Sequence, residues 1–151
     1  MKLNLSESYV MRKEDRSYKI IIDSNIWISF LIGKAMKELQ NNIDSHVIIT
    51  ITCTEQILEL SEVFRKPKIK KYFSKDQITE FFDLLNDSSL KIKINTKTNL
   101  CRDSKDDYLV SLALDSNADF LITGDKDLLE LNNVGGTIIL NYTDFEKIVK
   151  L

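Results

Sequence analysis

With 151 residues, 43% of them hydrophobic and 29% charged, the chain has apolar surface for one well-buried core and needs no second domain. A net charge of −2 argues against binding nucleic acid through overall charge, although a local basic patch stays possible, and the only cysteines, Cys53 and Cys101, suit a reducing compartment better than a disulfide framework. No apolar run approaches the roughly 18 residues of a membrane span, and the opening MKLNLSESYVMRKEDRS lacks the apolar centre of a signal peptide. The expectation is a cytoplasmic protein with a polar arm over residues 1–17 and a single domain over 18–151.

In chain order, Tyr18, Ile20, Ile21 and Ile22 predict a buried strand that runs straight into Asp23. Ile26, Ile28, Phe30 and Leu31 lead into helical turns, and Ala35, Met36, Leu39 and Ile43 continue at helical spacing. HVIITI (46–51) predicts a second continuous apolar strand. The helix after it, TCTEQILELSEVFRK, has Thr52 and Glu55 spaced as a capping box and Pro67 as its stop. Ser74 and Gln77 repeat that box before ITEFFDLLN. LKIKI (90–94) alternates, so it predicts a half-exposed or edge strand. A polar loop then leads to the helix DYLVSLALDSN, the strand DFLIT (119–123), a turn and short helix in GDKDLLEL, the strand GTIIL, and a last helix capped by Thr143 and Glu146. Continuous apolar strands separated by helices imply a parallel sheet covered on both faces, a doubly wound α/β domain of about five strands.

Ligands of open α/β sheets bind beyond the carboxyl ends of the strands, and the acids collect at that edge. Asp23 ends the first strand. Glu59 lies in the helix after the second, with its side chain leaning back toward the helix N-terminus. Asp103, Asp106 and Asp107 occupy the loop end and helix start after the third, and Asp125 and Asp127 follow the fourth. Each has a structural explanation: helix capping for Asp103, Asp106 and Asp107, a solvated helix position for Glu59, turn chemistry for Asp125 with Gly124 supplying a positive φ. Coincidence over four successive connections is a poorer explanation. Like charges so close need a cation, and an all-oxygen set without His or Cys selects a hard ion such as Mg²⁺ or Mn²⁺. His46, the only histidine, precedes the second strand and so falls at the opposite end of the sheet. Metal-assisted attack by water, most naturally on a phosphodiester, is the chemistry left.

IIDSNIW, EQILELSEVFRKPKI, CRDSKDDYLVSLALDSNADFLITGDKDLL and IILNYTDF together resemble a PIN domain, and more closely the VapC-like PIN toxins of bacterial toxin–antitoxin systems. The similarity runs from Tyr18 onward and implies a three-layer α/β/α sandwich over residues 18–151. It also implies that an acidic quartet falls on Asp23, Glu59, Asp107 and Asp125. Asp23, Asp107 and Asp125 would contact Mg²⁺ or Mn²⁺, and Glu59 would complete the site or orient the attacking water. Asn25 and Thr123 would support the acids, with Asp103, Asp106 and Asp127 around them. The resemblance implies an endoribonuclease, often a homodimer, paired with an antitoxin protein.

RKPKIKK supplies Arg65, Lys66, Lys68, Lys70 and Lys71, followed by Tyr72 and Phe73. This run suits an RNA backbone with an aromatic for base stacking, and equally a solvated connector between helices. Trp27 reads better as core than as a stacking surface. A haloacid-dehalogenase-like phosphatase would need Asp where Asn25 stands. A metal-dependent adhesion module would need serines where Asn25 and Trp27 stand. The remaining alternatives are a PIN nuclease of RNA processing or of structured DNA without a toxin role, and a non-catalytic metal-binding module.

Overall fold

The computed structural model describes residues 17–33, 35–98 and 106–149. Ile20, Ile21 and Ile22 are wholly buried because β1 (Tyr18–Ile22) is a central strand with a parallel neighbour on each side. On one side lies β2 (Ile48–Thr52), with Ile21 opposite Ile51; on the other lies β4 (Phe120–Ile122), with Ile22 opposite Ile122. Outside these are β3 (Leu90–Lys91), β5 (Asn133–Val134) and β6 (Thr137–Leu140), giving the order β3-β2-β1-β4-β6-β5 with only β5 antiparallel.

Side chains alternate across the sheet, so β1 feeds two cores. Ile20 and Ile22 join Trp27, Leu60, Phe64, Phe81 and Phe145 on one face, while Ile21 joins Leu109, Leu112, Leu121 and Leu128 on the other. The first face is covered by α1 (Ser24–Ile32), α2 (Ala35–Asp44), α3 (Thr54–Arg65), the single-turn α4 (Pro67–Lys70), α5 (Lys75–Ser88) and α8 (Tyr142–Val149). The second is covered by α6 (Asp107–Ser116) and α7 (Lys126–Glu130). The three-layer α/β/α sandwich is therefore present. Each fully buried isoleucine of β1 contributes about 1.5–3 kcal/mol, which holds the strand end, and hence Asp23, in a fixed place. Trp27 is core: it is 1% exposed and meets Phe81 edge-on at 5.5 Å.

Several local expectations need correction. β2 runs through Thr52, so Thr52 is a buried strand residue; Cys53 is the N-cap of α3, makes no side-chain cap bond, and the Thr52–Glu55 box does not form. The Ser74–Gln77 box does form, at 3.1 and 2.8 Å. α8 begins one residue before Thr143, and Asn141 caps it by accepting the Asp144 N–H at 2.8 Å. Pro67 does end α3, and it also opens α4 as its first residue. β3 is an edge strand as expected but pairs over two residues only. The sixth strand was hidden in VGGT: Gly135, at φ 57°, turns β5 back onto β6.

Candidate functional site

Asp23 sits where β1 becomes α1 and is held from several directions. Its backbone N–H donates to the Ile122 carbonyl at 2.9 Å, and the Ile22 carbonyl of the same peptide accepts from Gln56 Nε2 at 2.6 Å. Its Oδ2 accepts the Thr123 hydroxyl at 2.7 Å, and its Oδ1 accepts the Asn25 N–H at 3.3 Å, capping α1. Only 6% of the residue is exposed. That burial pushes its carboxyl above the usual carboxylate range. The Thr123 and Asn25 bonds pull the other way, and the charges of Glu59 and Asp125 push it up further.

Thr123 connects two acids. Wholly buried just past β4, it donates to Asp23 and accepts the Asp125 N–H at 3.0 Å. Asp125 caps α7, its Oδ1 accepting from Asp127 and Leu128 at 2.8 and 3.3 Å. Gly124 has no positive φ, so glycine turn chemistry does not explain the TGD sequence. Asp127 lends Asp125 its backbone N–H, and Asn25 does the same for Asp23.

Glu59, half-buried on α3, accepts the Tyr108 hydroxyl on Oε1 at 2.6 Å, and that hydroxyl lies 3.3 Å from Ser24 Oγ. Gln56, fully buried one turn earlier on α3, accepts from Thr52 Oγ1 at 2.7 Å and reaches Ser24 Oγ at 3.5 Å. Tyr108, Gln56 and Ser24 were not foreseen in the sequence. Their signals were weak: a tyrosine straight after two acids, and a glutamine three residues before Glu59.

Between α1, α3 and the start of α6 lies an open cleft of about 590 Å³ lined by Asp23, Asn25, Glu59, Tyr108 and Asp106, with Glu55, Leu58, Glu62 and Lys66 along the α3 wall. Asp106 lines this cleft and makes no side-chain cap bond, contrary to its capping explanation. Asp107, assigned to the quartet by resemblance, is the half-buried first residue of α6 and is not among the lining residues. Asp103 lies outside the described residues. Arg65, Lys66, Lys68, Lys70 and Lys71 are all exposed around α4, with Lys66 at the cleft and Lys71 Nζ 5.4 Å from the Tyr72 ring centre. Tyr72 is 56% exposed, but Phe73 is committed to Phe64 at 5.5 Å. His46 stands at the other end of the sheet, in the turn before β2.

The donors fit a hard cation. Among the described residues no three His, Cys, Asp or Glu gather closely enough to enclose an ion, but Mg²⁺ ordinarily takes one or two carboxylates and keeps its waters. A nearly buried carboxylate opposed by two like charges is a group such an ion stabilises.

A family profile described as PIN domain matches residues 19–127. An uncharacterized protein of Methanocaldococcus jannaschii is 29% identical over 133 residues, 86% of this chain and 85% of that protein. Among solved structures, the crystal structure of VapBC2 from Rickettsia felis bound to a DNA fragment from their promoter matches with a TM-score of 0.51 and 14% identity, covering 82% of this chain and 98% of that one. At that identity the likeness speaks for the fold alone. Among the described residues no helix is long and apolar enough to cross a membrane.

Proposed function

Because the chain belongs to the PIN-domain family, we propose that it is a metal-dependent endoribonuclease, the toxin of a toxin–antitoxin pair, hydrolysing RNA at the cleft beside Asp23. The observation that carries this reading is Asp23 itself. A carboxylate 6% exposed, clamped by Thr123 and two backbone contacts while Glu59 and Asp125 oppose its charge, is a costly way to cap α1, since a neutral side chain could do the same. Strain of that kind collects at functional sites.

Asp23 and Asp125 would hold Mg²⁺ or Mn²⁺, directly or through its waters, with an acid from the start of α6 acting through the metal's water shell. The resemblance assigns Asp107 there, and the cleft wall favours Asp106. Held there, such a cation would supply a more nucleophilic water and offset charge on the phosphate. Glu59 orients the attacking water. Thr123 and Asn25 keep Asp23 in place, and Asp127 keeps Asp125 in place. Lys66 and the exposed run through Lys71 hold the RNA backbone, drawing the polyanion past an otherwise acidic wall.

The partner is a cognate antitoxin, in keeping with the VapBC2 complex of similar fold. A groove of about 550 Å³ between α1, α2 and α5, floored by Leu31, Met36, Phe81 and Leu84 and rimmed by Glu80, Asp83 and Asp87, suits a basic amphipathic segment of that antitoxin. The toxin is cytoplasmic and homodimeric.

The test is cleavage of total RNA with Mg²⁺ and with EDTA, set against single- and double-stranded DNA, using wild type, Asp23→Asn and Asp125→Asn. Mg²⁺-dependent cutting of RNA that both variants lose is the expected result. Cutting confined to DNA, or retained by both variants, overturns the reading.

A further inference from the structure

Tyr108 has no place in the acidic quartet, yet its hydroxyl stands between three elements of the site. It donates to Glu59 Oε1 on α3 at 2.6 Å and lies 3.3 Å from Ser24 Oγ, the residue after Asp23. Because the phenol proton goes to the carboxylate, the Ser24 hydroxyl donates to the phenol oxygen, and Gln56 Nε2 donates to Ser24 at 3.5 Å. Thr52 in turn donates to Gln56 Oε1 at 2.7 Å. Gln56 Nε2 makes its shorter bond to the Ile22 carbonyl, at 2.6 Å, and through its longer reach to Ser24 the series runs on by way of the phenol to the anionic acceptor Glu59. Aligned donors polarise one another, and a bond to an ionised acceptor is the strongest member of such a series.

The bond is also a geometric tie. Tyr108 follows Asp106 and Asp107 directly, so the contact that orients Glu59 anchors the first turn of α6 against α3. The phenol gives its proton to the Glu59 carboxylate, so in this geometry it is a donor and no candidate base. A phenylalanine at this position would fill the same space and satisfy the same apolar neighbours. The hydroxyl itself is what the packing does not require.

We infer that Tyr108 is a positioning residue for the cleavage reaction: it holds Glu59 in its working orientation and fixes the acids at the start of α6 relative to it. This inference rests on the nuclease reading of the cleft. The experiment is a double-mutant cycle of Tyr108→Phe, Glu59→Gln and the pair, with kcat and KM measured on a short RNA. Tyr108→Phe should lower kcat about tenfold, the effect of losing one charge-assisted bond, while KM stays within about twofold because the phenol acts through Glu59. In the Glu59→Gln background the same substitution should cost less than about twofold.

A second readout does not depend on turnover. The near-UV absorbance of Tyr108 should carry a red shift from its carboxylate acceptor that is lost in Glu59→Gln and kept in Asp125→Asn. Additive losses of kcat, or no such shift in the folded wild type, overturn the role of Tyr108. A wild type that cuts no RNA overturns the nuclease reading and this inference together, whereas additive losses in a wild type that does cut overturn this inference alone.

Discussion

Replacing Thr123 by Val tests the hydroxyl that joins the two strand-end acids, with almost no change of volume. Thr123 is 0% exposed and takes part in two bonds, donating to ionised Asp23 and accepting from the Asp125 N–H. A bond to a charged group contributes about 1.5–3 kcal/mol and a neutral one about 0.5–1.5 kcal/mol, so Thr123→Val should destabilise by about 2–4 kcal/mol. For a chain of this size each kcal/mol moves the melting midpoint by about 2–4 °C, and the expected fall at neutral pH in EDTA is roughly 5–15 °C. Thr123→Ser keeps the hydroxyl and should recover most of it. The larger bond requires ionised Asp23, so the deficit should narrow as pH drops through the Asp23 pKa. Thermal melts of the three proteins at neutral and acidic pH make the measurement. A Thr123→Val midpoint within about 1 °C of wild type at neutral pH, or a deficit that does not change with pH, would refute the claim that this hydroxyl holds a charged Asp23.

The other expectations concern charge. The Asp23 carboxyl is raised in the fold above the ordinary 3.8, so its favourable contribution is complete below the unfolded pKa and is lost as pH rises through the folded one. Asp23→Asn should therefore melt above wild type in EDTA at neutral pH, with the gap closing as the pH is lowered toward about 4; a variant that melts lower at neutral pH sinks this electrostatic picture. Mg²⁺ should raise the wild-type midpoint by mass action and raise that of Asp23→Asn much less. Asp106→Asn and Asp107→Asn decide the third acid: the one that belongs to the site loses cleavage at saturating Mg²⁺ while keeping its fold. Removing the charges of Lys66, Lys68 and Lys70 together should weaken RNA binding and lower the slope of log affinity against log salt by about 2–3 units, whereas an unchanged slope returns the run to a solvated connector.

The sequence announces the skeleton of the site because strand ends are visible in it. Continuous apolar runs in β1, β2 and β4 locate the carboxyl edge of the sheet, and Asp23, Glu59 and Asp125 are then recognisable as acids delivered there. What stays hidden depends on distances the chain does not print. Gln56 looks like an ordinary helical glutamine until α3 is laid across the end of β1, where its amide meets the Ile22 carbonyl. Tyr108 looks like one more member of an apolar helix face, although a buried phenol usually finds a partner and two acids precede it. The misplaced caps at Thr52 and Thr143 have a simpler cause: each element starts or ends one residue from where the apolar pattern breaks, and a cap one residue out of register bonds to something else. The β5–β6 hairpin was missed: β5 is only two residues long, Asn133–Val134, too short to show an apolar pattern, although the Gly-Gly pair after it is hairpin chemistry.

The bond between Thr123 and Asp23 spans 100 residues of chain, and this gives the protein a kinetic property as well as a shape. Asp23 is among the first residues of the domain to leave a ribosome, but Thr123, just past the end of β4, emerges 100 residues later. Loops of such length close late and slowly. Until β4 emerges the growing chain carries Asp23 without Thr123 or Asp125. A truncated or stalled product ending before β4 lacks the Ile122 carbonyl and the Thr123 hydroxyl that hold Asp23, so that clamp forms only after β4 has docked. The clamp on Asp23 is thereby completed only late in synthesis, once β4 lies beside β1.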